Sequence, residues 1–383
     1  MYLDGVRVLD LSRLLPGPFC SMLLADMGAD VIKVEDTRGG DYARYYPPTV
    51  EGGQGALYAS LNRDKRGVAL DLKSPEGPGV LEALVRDADV LIESFRPGVL
   101  ERLGVGHDRL RELNPRLVVC AISGYGQDGP LAARAGHDLN YLALAGVLEQ
   151  NGPAGGPPQV PGFQLADVAG GALYAALGVT AALFRRERTG EGGVVDVSMT
   201  EGAMSLHVPL QVEAQAGGAP ARGEGMLTGG VPSYRVYATS DGRHLAVGAL
   251  EPKFWLGFVQ AIGAPELASE GLATGEAAAA AIARVSELIG ARTLDEWVPV
   301  FEAADCCVEP VRTPLEVLHC ELMRARRMFF ELQGVRMART PLGDPDATHT
   351  PAPDHGQHTD EVLAEAGVSA ERIAELRAAR VVI

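Results

Sequence analysis

The chain lacks the signatures by which nucleotide- and metal-using enzymes usually announce themselves. No G-x-G-x-x-G follows the first strand-like run. The segment there, Leu14-Leu15-Pro16-Gly17-Pro18, has no glycine spacing that lets a pyrophosphate approach a helix. That argues against a nicotinamide or flavin cofactor. A Walker motif, H-E-x-x-H, a zinc-spaced cluster and Gly-x-Ser-x-Gly are missing too, so neither a metal centre nor a hydrolase nucleophile elbow is expected. Positive charge is scarce: the net charge is −16, which speaks against a nucleic-acid partner and against anionic membranes. The five cysteines are odd in number and form no C-x-x-C pair, which fits a reducing compartment better than a disulfide framework. A basic leader, an uncharged apolar run of about 18 residues and a peroxisomal C-terminal address are not seen. The expectation is a cytoplasmic protein with no membrane span.

What is present is an ordinary globular composition, 46% hydrophobic and 22% charged over 383 residues. That length suggests two domains or one with an insertion. The first third alternates strand and helix. Val6–Leu11 reads as a strand, Pro16 and Pro18 open a helix, Gly28 stops it, and Val31–Val34 is the next strand. Further strands are expected at Val68–Leu72, Val90–Ser94 and Leu117–Ile122, with helices at Glu76–Arg86 and Arg109–Leu113. Strands separated by helices imply a parallel, Rossmann-like sheet. An apolar segment, Val168–Phe184, precedes strand Val194–Met199. Ser233–Thr239, the Asp241-Gly242 turn and His244–Ala249 read as a hairpin, followed by a helix over Glu276–Ile289. Two helices near Asp360–Ala366 and Ala370–Ala379 close the chain. The boundaries expected are a large domain over 1–200, a linker over 201–232, a small α+β domain over 233–312, a second linker over 313–334 and a return to the large domain over 335–383.

Two stretches stand out chemically. Gly136-His137-Asp138 puts an imidazole beside a carboxylate in a loop, and Ala166-Asp167-Val168 puts a lone carboxylate where the apolar segment begins. Imidazole suits proton transfer near neutrality. Taken alone, His137 reads as a loop histidine and Asp167 as a helix N-cap. Glu251, after the strand Leu245–Leu250, reads as a helix-start acid. Despite the negative net charge, Arg38, Arg63, Arg66 and Arg96 are placed where an anion could be met locally, Arg38 at the carboxyl edge of a strand.

The residues then resemble a known family. Leu11–Phe19, Leu24–Glu35, Ser60–Arg66, Glu93–Gly98, Ser123–Pro130 and Gly356–Leu363 are similar to the family III CoA-transferases, the CaiB/BaiF group, across nearly the whole chain. Transferases of that group commonly carry an aromatic residue where this chain has His137, and use the aspartate matching Asp167 as a nucleophile. The α-methylacyl-CoA racemase branch carries Gly-His-Asp, as in Gly136-His137-Asp138, and Gly-Ala-Leu-Glu-Pro, as in Gly248-Ala249-Leu250-Glu251-Pro252. The resemblance therefore implies a racemase acting at C2 of 2-methyl-branched acyl-CoA thioesters, with His137, Asp167 and Glu251 catalytic. It implies CoA contacts at Arg38, Ala59, Leu61, Arg63, Arg96, Gly124, Tyr125, Gly126 and Asp138. It further implies a Rossmann-like large domain with a parallel sheet plus a smaller α+β domain, in an interlocked homodimer. No cofactor or metal is called for, since acyl-CoA is the substrate. The alternative within the family is CoA transfer through Asp167; outside it, a non-catalytic CoA-binding protein.

Overall fold

The computed structural model describes all 383 residues. They divide into two compact units: 1–145, 162–206 and 321–383 form the larger, and 146–161 with 207–320 the smaller.

The larger unit is built on a six-stranded parallel sheet: β1 (Arg7–Asp10), β2 (Asp30–Glu35), β3 (Arg66–Ala69), β4 (Val90–Glu93), β5 (Val118–Ser123) and β6 (Gly193–Ser198), in the order β3-β2-β1-β4-β5-β6. Strands such as Val118–Ser123 are buried along their whole length. That is why they read as continuous apolar runs rather than as alternation. The crossovers are α1 (Pro16–Asp26), α2 (Ala56–Asn62), α3 (Gly77–Val85), α4 (Val99–Arg102) and α5 (His107–Leu113). Pro16 and Pro18 sit in the first turn of α1, where a missing N–H costs nothing. The core under one face joins Leu9, Ile32, Leu81, Leu91 and Val119 to Val362 and Leu376 of the C-terminal helices. The strand expected over Val68–Leu72 is shifted, since the ladder with β2 runs over Arg66–Ala69 and leaves Asp71 and Leu72 beyond it.

After β5 come α6 (Asp138–Leu144), α7 (Val147–Gln150, in the smaller unit), a π-helical segment Ala166–Leu173 that continues into α8 (Tyr174–Thr189), and α9 (Met199–Ser205). The π segment lies against α9 at backbone contact. A Cβ on Gly202 would sit 1.9 Å from the Gly170 carbonyl oxygen, so only glycine allows this approach. Residues 166–189 together are long and apolar enough to cross a membrane, by length and composition; here they pack on α1, β5 and β6.

In the smaller unit, β7 (Tyr234–Ala238) and β8 (His244–Gly248) form the expected antiparallel pair, and a short third strand, β9 (Val308–Pro310), adds to β8. Helices α10 (Val208–Gln215), α11 (Pro252–Ala261), α12 (Gly275–Ile289) and α13 (Leu294–Ala304) accompany them. Trp255, Phe258, Val285, Trp297 and Phe301 centre its own core. Residues 201–215, read as linker, are largely helical. The return segment carries an antiparallel hairpin, β10 (Phe329–Leu332) with β11 (Val335–Ala338).

Candidate active site

In a doubly wound sheet, ligands bind beyond the carboxyl ends of the strands where the strand order reverses. Here that point lies between β1 and β4. A cleft of about 1090 Å³ opens there, lined by Leu11–Leu14 after β1, Arg38 and Gly39 after β2, Ser94–Pro97 after β4 and Gly124 after β5. His137, Asn140, Tyr141, Asp167 and Met199 line it as well. The structure thus brings His137 and Asp167, 30 positions apart in sequence, to one cavity.

His137 is the N-cap of α6, in extended backbone, and its N–H donates to Asn140 Oδ1 at 3.0 Å. The loop entering it is held from two sides. Tyr141 Oη donates to the Gly136 carbonyl at 2.6 Å, and the Tyr141 ring meets Tyr125 edge-on at 5.2 Å. Gly136 has no alternative here: a Cβ would lie 2.7 Å from both tyrosines.

Asp167 is half-buried in the first turn of the π segment. π-helical turns recur at functional sites. The cap position belongs to Leu165, so Asp167 is not the N-cap the sequence suggested. Burial, with the nearby Asp138 carboxylate adding to it, pushes its carboxyl up to about 7. A carboxyl there exchanges protons readily at neutral pH. Amides at the segment's entry are already engaged: Asp167 N–H donates to Asp138 Oδ1 and Val168 N–H to the Gln164 carbonyl. They are therefore not free to meet a developing oxyanion.

The cleft carries more cations than the motifs indicated. Arg13, Arg38, Lys73, Arg96 and Arg134 all line it, beside the carboxylates Glu35, Asp36, Asp41, Asp71 and Asp167, and Arg38 lies 3.6 Å from Asp71. Arg13, Lys73 and Arg134 went unread because each lies in a loop whose place at the strand ends only the fold reveals. The Arg13–Leu14 loop is shaped by a buried clamp. Lys33 Nζ donates to the Ser12 carbonyl at 2.5 Å and to Asp41 at 3.3 Å, while Asp41 accepts the Leu14 N–H at 2.9 Å. Leu14 is held at φ +66°, a conformation a branched side chain adopts only under such constraint.

Six of the nine expected CoA contacts, Ala59, Leu61, Arg63, Tyr125, Gly126 and Asp138, do not line the cleft. Arg63 is fully buried and pairs with Asp26 at 2.5 and 3.0 Å and with Asp64 at 2.9 Å. It is a structural ion pair with no access to a phosphate. Ala59 is fully buried in α2, and Leu61 faces a separate apolar cavity with Phe19, Met22 and Met337. Arg66, weighed as an anion contact, is engaged with Asp30, Glu361 and Glu365. Tyr125 meets the Tyr141 ring edge-on. Gly126 donates its N–H to Ser123 Oγ. Asp138 points to the Asp167 backbone. Arg38, Arg96 and Gly124 do line the cleft. Glu251 lies in the smaller unit, exposed at the N-terminus of α11. No three His, Cys, Asp or Glu side chains cluster as metal ligands.

The sequence model of CoA-transferase family III matches residues 3–359. The chain belongs to that family. It is 39% identical over 392 residues to human alpha-methylacyl-CoA racemase, covering 100% of this chain and 98% of the relative. It is 34% identical to the succinyl-CoA–D-citramalate CoA-transferase of Chloroflexus aurantiacus, covering 99% and 98%. Among solved structures, a CaiB/BaiF family protein from Brucella suis superposes with a TM-score of 0.83 at 30% identity, covering 95% of this chain and 99% of that one. The family resemblance and the α/β fold class read from the motifs are thereby established.

Proposed function

We propose that the protein is an α-methylacyl-CoA racemase. It inverts C2 of 2-methyl-branched acyl-CoA thioesters by moving one proton off the carbon on one face and returning one on the other. The observation that carries this reading is the pairing, in one cleft, of His137 with an Asp167 carboxyl held near neutrality. The thioester carbonyl acidifies the α-C–H. One group takes that proton as the C–H electrons pass into the enolate; the group on the opposite face delivers its own proton to C2 and the carbonyl re-forms. In the reverse direction the roles exchange, so both groups must be able to hold and release a proton at working pH. Arg13, Arg38, Lys73, Arg96 and Arg134 supply the charge that the CoA phosphates require. The similarity to racemases, at 39% and 40% identity, supports the same reading. This chemistry draws on no metal or redox group.

We propose further that the working form is an interlocked homodimer, in which Glu251 of one chain pairs with His137 of the other. The apolar residues left exposed along 173–184, among them Leu177 at 64% and Phe184 at 61%, favour a second chain covering them. The cytoplasm is the compartment consistent with the cysteine pattern.

The test is incubation of a single-enantiomer 2-methylacyl-CoA with the protein in D₂O. Deuterium at C2 together with loss of optical purity is the expected result. The competing reading, CoA transfer with Asp167 as nucleophile, is kept alive by the 34% identical transferase. An acyl-enzyme trapped by hydroxylamine at Asp167, without α-exchange, would establish it instead.

A further inference from the structure

The two proton carriers sit on different elements, His137 at the start of α6 and Asp167 in the π segment. Something must hold those elements in register, since an ångström of misplacement between reacting groups costs about 10²-fold in rate. Asp138 is the first residue of α6 and the covalent neighbour of His137. Its Oδ1 accepts the backbone N–H of Asp167 at 2.9 Å, across 29 residues of chain. First-turn amides of a helix have no partner within it. Here one such amide is satisfied from a second element, by the residue adjacent to the other proton carrier.

We propose that Asp138 is a positioning residue whose carboxylate ties the His137-bearing end of α6 to the Asp167-bearing π turn and holds the two proton carriers at a fixed separation. This rests on the racemase reading and assigns Asp138 a role other than a CoA contact.

The tie has an electrostatic side. A carboxylate fixed against the Asp167 backbone disfavours a second negative charge there, so Asp138 adds to burial in raising Asp167. The elements packed on the π segment are α1, α6, α8, α9, β5 and β6. Their titratable or charged groups are Cys20 and Asp26 on α1, Asp138 and Tyr141 on α6, Tyr174 and Arg185–Arg188 on α8, Glu201 on α9, Cys120 on β5 and Asp196 on β6. Arg96 and Tyr125, from the loops after β4 and β5, complete the surroundings through their interaction with Tyr141. Of these, Asp138 is the group that adds to burial at Asp167.

Two substitutions separate the parts. Asp138→Asn keeps an oxygen to accept the amide but removes the charge; Asp138→Ala removes both. For the enantiomer whose proton Asp167 removes, the rate rises with pH through the Asp167 midpoint. For the other enantiomer Asp167 must be protonated, and the rate falls through the same midpoint. In Asp138→Asn both limbs are expected to move to lower pH, with the optimum rate within a few-fold of wild type. In Asp138→Ala, kcat for α-deuterium exchange is expected to fall about 10²-fold with KM little changed. A wild-type kcat in Asp138→Ala, or unmoved limbs in Asp138→Asn, overturns the proposal. If the alanine variant does not fold, the asparagine variant carries the test. If the wild type itself exchanges no α-proton, the racemase reading has failed. The Asp167 titration, followed by carbon NMR of labelled aspartate without substrate, then still decides: an unchanged midpoint in Asp138→Asn overturns the role given to Asp138.

Discussion

Asp10 and Asp167 are both carboxylates of the larger unit withdrawn from water, yet one is held down to about 2 and the other pushed up to about 7. Burial raises both. At Asp10 it is outweighed by Lys33 and Lys65, with hydrogen bonds from Ser12 and Ser21. Lys65 Nζ reaches Asp10 at 3.2 Å and Ser21 Oγ reaches it at 2.6 Å, all fully buried. At Asp167 the charged neighbour that matters is another carboxylate, Asp138. Burial therefore does not decide what a carboxylate does; its partners do. Asp10 is a fixed anion that locks α1 and the start of β3 to the end of β1. Asp167 is left able to gain and lose a proton.

Removing each carboxylate should break the contrast in opposite ways. Asp167→Asn is expected to cut α-proton exchange by about 10³-fold. It should also stabilise the fold above neutral pH. The folded carboxyl titrates near 7 against an ordinary 3.8, so ionising it opposes folding above that range and the cost vanishes below about pH 4. The variant should thus gain on the order of 4 kcal/mol at pH 8 and little at pH 4, read by thermal unfolding at both values. Equal melting shifts at the two pH values would erase the distinction drawn here.

Asp10→Ala should do the reverse. It leaves Lys33 and Lys65 without their shared anion, a loss of about 3–5 kcal/mol by urea unfolding, while exchange per folded molecule persists. The wild-type fold carries a matching acid signature. The folded carboxyl is depressed, so its contribution is complete above about pH 4 and is lost as pH falls toward 2. Acid unfolding followed by circular dichroism should show that loss flattened in Asp10→Asn.

A smaller effect separates the arginines. Arg96→Ala, on the cleft, should raise KM for acyl-CoA about 10-fold with the melting temperature nearly unchanged. Arg63→Ala, in the buried pair with Asp26, should lower the melting temperature and leave KM where it was.

Much of this was legible in the sequence. Continuous apolar runs broken by helix-forming stretches give a parallel sheet and little else. The Gly136-His137-Asp138 and Asp167 stretches drew attention because an imidazole and an isolated acid at element starts are chemically conspicuous. What escaped reading depends on partners far along the chain. Arg63 looks like part of a solvated charge run until Asp26, 37 residues earlier, is seen to take its guanidinium. The Asp138 carboxylate accepts a backbone amide, that of Asp167, which no side-chain pattern records. The π-helical entry to α8 has no sequence signature beyond small residues. Strand β9 is three residues long and follows two cysteines, too short for any periodicity.

The central claim is that Asp167 is a proton carrier poised near neutrality. The most direct measurement is the carbon NMR titration of its carboxyl in the wild-type protein without substrate, assigned by its disappearance in Asp167→Asn. The expected midpoint is about 7. A midpoint at or below about 4, the range of an ordinary aspartate, would contradict the account.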